Sequence, residues 1–413
     1  MHEHLVFLGI SLVVLGYGLF SNLLGKYNIS GPMVFTGVGI LLSPPVLGGT
    51  PIHANAEAVQ IIAEITLILV LFSDSSALNL SQLKANWQLP ARLLFIAMPI
   101  TIVIATLTGM WFFPHESFLY ILLLALILAP TDAALGKIVV SDKRIPSVVR
   151  NTINVESGLN DGIVFPVLLT VLAMIVSNSS TAESGWLSYI ARQVIIGAVA
   201  GGFVGWAGAS MMMRAMKKEW MEYQYSNLAP IALAVFSFYA AEYLGGNGYI
   251  AAFFSGLFLG NTSEVLREHV ESFAESEGEF LVMISFLIFG LVFIPLTIDY
   301  WNLKALAFAL LSLTVLRMLP VILGFGFSKV DFSTRLFYGW FGPRGIASIL
   351  YILVAVHEIG DIQGHEEIFG IASLTIFLSI FLHGFSAQPL AVGYAKTHPI
   401  AEEKNEDNTQ PPA

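Results

Sequence analysis

The chain has 413 residues, 56% of them hydrophobic and 12% charged, with a formal net charge of −10. Soluble domains carry about a quarter charged residues, so a water-soluble globular protein is excluded and an all-α, polytopic membrane protein is expected. There is no cysteine, which excludes disulfides and thiol chemistry.

The N-terminal MHEHL has no positive stretch, so a cleaved signal peptide is not expected. Apolar runs near the length that spans a bilayer, about 20 residues, predict thirteen spans. In chain order they are Leu5–Gly25, Gly31–Leu47, Glu57–Leu78, Ala91–Phe112, Ser117–Val140, Arg150–Val176, Ser188–Met213, Asn227–Leu244, Gly248–Gly260, Gly278–Pro295, Leu303–Phe327, Thr334–Val356 and Ile368–Tyr394. The second is short and contains Pro44-Pro45. The seventh carries Gly197, Gly201 and Gly205 at four-residue spacing, a stripe that lets another helix approach closely. With the N-terminus outside, all but five of the 19 Lys and Arg fall on inside segments and span ends. Of the five, Arg192 and Lys304 lie outside, while Lys137, Arg317 and Arg344 lie within spans. That bias predicts a cytoplasmic C-terminus.

The sixth span opens with the polar stretch RNTINVESGLNDG, Arg150–Gly162. On a helix it gathers Asn151, Asn154, Glu156, Ser157, Asn160 and Asp161 within about three turns. Ionisable groups inside a membrane are costly and mark ion or proton paths. Ser157 and Asp161 share one face, Glu156 and Asn160 the next. Small hard cations take oxygen ligands, and a carboxylate can hold a proton instead. Competition of the two for Asp161 is all that an exchanger needs thermodynamically. Glu156 reads better as half of a structural ion pair.

Two spans look interrupted. In the fifth, Ala129-Pro130-Thr131-Asp132 removes a backbone donor in mid-helix. The freed carbonyls can coordinate a cation, since irregular backbone at this depth must face protein or a water-filled cavity. Asp132 is either a ligand or the cap of the half-helix that starts there, and Thr131 can take the same capping part. In the twelfth, Phe341-Gly342-Pro343-Arg344-Gly345 sets a proline and an arginine between glycines. Breaks at corresponding places in two halves point to a transporter site. Each break is next to last in a six-span set, one to six and eight to thirteen, which suggests inverted repeats linked by the seventh span. Arg344 either neutralises carbonyl ends of a half-helix or pairs with Glu156, and Arg317 also suits a carboxylate. Lys137 lies near enough to a span end to snorkel. Asp74 fits equally a cytoplasmic funnel and a solvated helix end. Glu64 and Glu242 have no partner legible in the sequence, and the acidic stretch Glu264–Glu279 reads as a solvated loop.

There is no GxxxxGK[ST], HExxH or CxxC, and Gly158-Leu159-Asn160-Asp161 does not fit the GxGD of intramembrane aspartyl proteases. The chain is therefore not expected to be an enzyme, an ATP-driven pump, or a binder of any cofactor or nucleic acid.

Three elements carry a resemblance. PTDAALGKIVV (Pro130–Val140), RNTINVESGLNDG and GPRGIAS (Gly342–Ser348) together resemble the monovalent cation/proton antiporter superfamily, in its sodium/proton exchanger branch of prokaryotic NhaP type. FLHGFSAQPLA (Phe381–Ala391) looks like the last span of that family. The resemblance implies a homodimer in a prokaryotic plasma membrane, serving pH homeostasis. Dimerisation helices fall at about 1–48 and 226–260, a linker helix at 188–213, a moving core at 57–176 and 276–394, and a polar cytoplasmic tail at 397–413. Spans five and twelve are implied to be unwound and to cross near the midplane. Asp161 is the implied carboxylate shared by Na⁺ and H⁺, and Asp132, Ser157 and a Thr131 carbonyl are the further Na⁺ ligands. Asn160 implies electroneutral one-for-one exchange, and Glu156 with Arg344 a structural ion pair. A K⁺/H⁺ exchanger stays open on the residues, as does a passive cation channel.

Overall fold

The computed structural model describes residues 2–47, 56–81, 87–177, 186–360 and 364–399. Among them every regular element is a helix. The first eight are α1 (His2–Lys26), α2 (Gly31–Leu41), α3 (Pro44–Leu47), α4 (Glu57–Ser76), α5 (Gln88–Arg92), α6 (Met98–Phe112), α7 (Phe118–Ile127) and α8 (Ala133–Ser141). There follow α9 (Ser147–Ser177), α10 (Trp186–Lys217), α11 (Tyr223–Tyr243), α12 (Gly248–Thr262), α13 (Glu264–Phe273), α14 (Glu279–Ile288) and α15 (Ile294–Thr297). The last five are α16 (Leu303–Leu313), α17 (Val315–Gly324), α18 (Phe332–Trp340), α19 (Ile346–Ile359) and α20 (Glu366–Thr397). π-turns at Leu93–Ala97 and Phe289–Phe293 join α5 to α6 and α14 to α15. Each lies just ahead of a proline, Pro99 or Pro295, which has no N–H for the helical ladder.

Helix lies in each of the thirteen predicted runs, and among the described residues eight continuous helical stretches are long and apolar enough to cross a membrane. Of the other five runs, the second is cut short where Pro44-Pro45 follows α2, and the fifth and twelfth are each two half-helices, α7 with α8 and α18 with α19. The eighth, α11, is long enough but is not among those eight stretches, and the ninth, α12, has 15 residues. Both predicted breaks fall where the prolines put them, between Ile127 and Ala133 and between Trp340 and Ile346. The acidic stretch 264–279 is not a loop: α13 continues through a π-turn at Ala274–Gly278 into α14. There α13 buries Leu266 and Val270, and Ser263 caps it by accepting from the Leu266 amide at 3.3 Å. Residues 400–413, most of the expected tail, lie outside those described, as does the Lys137 side chain.

Small residues set the closest packing. A methyl group on Gly197, Gly201 or Gly205 of α10 would overlap the backbone of Asn247, Ala251 or Ser255, the last two in α12. On its other side, α12 brings Gly256 and Gly260 onto the carbonyls of Phe72 and Ser76 in α4. Without water to drive association, such backbone-to-backbone approach is what holds helices together in a bilayer. The long helix α9 is buried at Thr152, Ile153, Glu156, Ser157, Asn160, Asp161 and Val164, so the part of its polar stretch from Glu156 to Asp161 faces protein, while Asn151 and Asn154 are exposed.

Gly201→Ala is expected to lower stability by about 1–3 kcal/mol, the usual cost of overpacking. Gly16→Ala in α1, where an added methyl meets nothing within 4 Å, is the control and should be silent. Thermal unfolding in detergent micelles distinguishes the two.

Candidate ion-binding site

The two breaks meet and supply each other's missing hydrogen bonds. Asp132 N donates to Pro343 O at 2.9 Å, and the Asp132 carboxylate accepts from Ile346 N at 2.8 Å. Asp132, whose own carbonyl accepts from Gly136 N at 3.2 Å at the start of α8, therefore caps the N-terminus of α19, the half-helix of the opposite span. A carboxylate there satisfies an orphan donor and the positive end of the dipole. In the reverse direction, Arg344 Nη1 donates to Ala129 O at 3.0 Å and Pro130 O at 3.1 Å, and Ser348 Oγ donates to Ile127 O at 2.6 Å. These are the loose carbonyls at the end of α7. The approach leaves no room for a side chain at Gly345, whose Cβ would collide with the Asp132 carboxylate.

A third helix fixes the second break from behind. Arg344 N donates to Ser379 Oγ at 2.7 Å, and Ser379 Oγ lies 3.2 Å from His383 Nδ1. His383 Nε2 lies 3.0 Å from Trp340 O, the last carbonyl of α18. In α20, Ser379 and His383 thus hold both sides of the gap between α18 and α19. Nδ1 also lies 3.0 Å from Ser379 O, so both ring nitrogens face a carbonyl oxygen, and a neutral imidazole donates to one of them only.

On α9, Asn160 Nδ2 donates to Thr131 O at 3.1 Å and Thr131 Oγ1 at 2.8 Å, and Thr131 Oγ1 lies 3.1 Å from Ser157 Oγ. The break at 129–132 is thereby pinned to α9. Asp161, 4% exposed, accepts from Tyr351 Oη of α19 at 3.1 Å. It also borders a narrow cavity of about 10 Å³ walled by Leu71, Phe165, Tyr249 and Phe253. Among the described residues no ion pair to Lys, Arg or His involves Asp161. Asp74 stands close enough to Asp161 and Asp132 for the charges to interact. Its backbone faces Gly158, one residue past Ser157.

The ion pair differs from the one implied by resemblance. Glu156 Oε1 accepts from Arg317 Nη2 of α17, both side chains being almost wholly buried. Arg344 is committed to the α7 carbonyls, which Pro130 leaves without helical partners. It still lies near enough to interact with the charges of Arg317 and Glu156. Glu156 Oε2, Arg317 Nε and Arg344 Nε and Nη2 are buried without a hydrogen-bond partner.

Asp132, Thr131, Ser157, Asn160 and Asp161 thus gather around the crossing, with Arg344 behind it. Glu156 and Arg317 form a separate buried pair. Glu64 and Glu242 stand apart: Glu64 accepts from Tyr239 Oη at 2.9 Å, and Glu242 accepts from Gly248 N at 2.7 Å, closing the α11–α12 turn. Tyr351 and Ser379 are not singled out by the sequence, because a tyrosine and a serine in apolar helices give no signal of their own, and His383 shows there only as a lone histidine near a span end.

Residues 9–393 match the family model described as "Sodium/hydrogen exchanger, transmembrane". The chain is 24% identical over 389 residues to the K⁺/H⁺ antiporter NhaP of Alkalimonas amylolytica, covering 92% of this chain and 64% of that protein. It is 23% identical to a probable Na⁺/H⁺ antiporter of Schizosaccharomyces pombe, covering 78% of this chain and 45% of that one. This chain therefore spans less than two thirds of the length of either relative. The sodium proton antiporter MjNhaP1 of Methanocaldococcus jannaschii shares the fold, with a TM-score of 0.78, 21% identity, and coverage of 96% of this chain and 100% of that one. With its paired broken helices crossing beside a buried aspartate, the chain belongs to the sodium/hydrogen exchanger family, in the NhaP type of the monovalent cation/proton antiporter superfamily.

Proposed function

We propose that the chain is a secondary antiporter that exchanges Na⁺ for H⁺, the two competing for the carboxylate of Asp161. The observation that carries this is the contrast among the buried carboxylates. Glu156 has an arginine and Asp132 a backbone donor, whereas Asp161 has a tyrosine hydroxyl and no described basic partner. A bare buried carboxylate is costly. A proton or a small cation removes that cost, and either state is then favoured over the empty, ionised one. Asp132, Ser157 and Thr131 offer further oxygens at the same crossing, and oxygen is what a small hard cation takes. Asp74 is a third carboxylate bordering the pathway.

Asn160 is a positioning residue: its amide holds Thr131 and leaves Asp161 as the one exchangeable carboxylate on its helix face. The exchange is then one for one and electroneutral. Glu156 with Arg317, and Arg344 with the α7 carbonyls, are scaffold. The working unit is a homodimer of thirteen-span subunits in a prokaryotic plasma membrane, N-terminus outside and C-terminus in the cytoplasm. Its 57–176 and 276–394 core moves as an elevator against helices in 1–48 and 226–260, with 188–213 as linker. A K⁺/H⁺ exchanger is the second reading, favoured by the similarity to the K⁺/H⁺ antiporter of Alkalimonas.

In proteoliposomes, a pH-gradient assay with Na⁺, Li⁺ and K⁺ offered separately should show the fastest dissipation with Na⁺; a response to K⁺ alone would select the second reading. Asp161→Asn should reduce exchange to the level of empty liposomes while the protein keeps its thermal unfolding transition. Full activity in that variant would remove Asp161 from the mechanism. An imposed membrane potential should drive no net cation uptake, and potential-driven uptake would refute one-for-one exchange. Arg317→Ala leaves Glu156 buried and uncompensated, and should cost about 3–5 kcal/mol of stability. Joining it to Glu156→Gln should recover part of that loss, as read by thermal unfolding.

A further inference from the structure

A second constellation lies away from the crossing, where the turn between α6 and α7 meets the start of α20. His115 Nε2 lies 2.7 Å from Glu367 Oε2, and His365 Nδ1 lies 2.8 Å from Glu116 Oε2. Ligand atoms of His115, Glu116 and Glu367 all lie within 4.8 Å of one another. They come from two chain segments some 250 residues apart. Each carboxylate is held from outside the cluster. Asn302, at the start of α16, donates to Glu367 Oε1 at 3.2 Å. The ring of His365 stacks on Tyr120 at 3.5 Å and fixes the nitrogen that meets Glu116.

Charge balance makes this arrangement unusual. The Glu116 side chain is only 4% exposed and that of Glu367 19%. Two carboxylates this close repel each other, and their described ion-pair partners are histidines, which carry no permanent charge. The position calls for a cation that accepts oxygen and nitrogen together.

We propose that His115, Glu116 and Glu367 form a binding site for a divalent transition-metal ion, Zn²⁺ by preference, with His365 as the positioning residue for Glu116. Imidazole beside two carboxylates suits Zn²⁺ and disfavours Mg²⁺ or Ca²⁺, which take oxygen alone. Zn–N and Zn–O bonds are about 2.0–2.2 Å, so the 2.7 Å pair opens to roughly 3.3 Å around a tetrahedral ion. His115, whose side chain is 62% exposed, has the freedom to make that move. Three protein ligands leave the fourth position to water. A bound ion ties the α6–α7 turn to the first turn of α20, the helix whose Ser379 and His383 hold the second break. His365 fixes the orientation of Glu116 as a hydrogen-bonded partner behind a metal ligand does elsewhere, where its loss weakens binding about 10- to 100-fold.

The test uses the full chain in detergent micelles, stripped with EDTA, with ZnCl₂ as the probe. Calorimetric titration should show one ion per chain, and zinc should raise the thermal unfolding temperature in a way that EDTA reverses. His115→Ala and Glu367→Gln should each weaken binding at least tenfold, and His365→Ala about tenfold. His115→Cys, which keeps a zinc donor, should restore most of the affinity. His115 is exposed, so its removal leaves the fold intact, and the unliganded unfolding temperature of the variant checks this. Absence of zinc binding in the parent chain, or binding unchanged in both His115→Ala and Glu367→Gln, would overturn the site.

Discussion

The structure depends on the reciprocal capping of two broken helices. Inside a bilayer no water is available for loose backbone groups, and each costs several kcal/mol if left bare. Pro130 and Pro343 create such groups in the middle of the protein. The Asp132 carboxylate answers the donor end at Ile346, and the Arg344 guanidinium answers the acceptor end at Ala129 and Pro130. Each of the two charges is thereby matched to the dipole end it faces. Neither break is tolerable alone, so the crossing forms as one unit or not at all. The polar face of α9 is organised by the same requirement, since Asn160 and Ser157 engage the Thr131 freed by the first break.

Around that unit the helices are fitted by glycine. α12 is held on one side by the α10 stripe and on the other by contact of Gly256 and Gly260 with α4. The helix bearing Asp74 is thus placed by backbone contact together with the packing of Ile68, Leu69 and Phe72. α4, α9 and α19 then bring Asp74, Asp161 and Tyr351 to one place.

Much of this was legible in the sequence. Pro130 and Pro343, each within two residues of a charged one, mark the two breaks, whereas Pro166, Pro230, Pro320 and Pro389 lie inside continuous helices. Glycines at four-residue spacing mark the close contact of α10, because the period of the helix is fixed. The polar stretch from Glu156 to Asp161 stands out against lipid-compatible neighbours. What stayed hidden was partnership across long separations. Arg317 and Arg344 are both buried arginines, and only the fold reveals that Pro130 leaves carbonyls that claim one and free the other for Glu156. Asp132 reads as a cap for the helix that follows it, and only the fold reveals that its carboxylate also meets Ile346 N of the opposite span. Tyr351 sits in a run where every neighbour is apolar, and nothing but three-dimensional placement singles it out. The α13 helix was hidden by its acidic composition, although Leu266, Val270 and Phe273 recur along it at helical spacing.

One consequence of the Asn160 contact concerns which chemistry that position admits. The amide nitrogen faces a carbonyl and a hydroxyl oxygen, so the position selects for a hydrogen-bond donor. A carboxylate there would set acceptor against acceptor at the Thr131 carbonyl, and only the Thr131 hydroxyl can turn to donate to it. Position 160 is therefore constrained by the direction of its hydrogen bonds as well as by charge: exchanging amide for acid there loosens the hold of α9 on the neighbouring break.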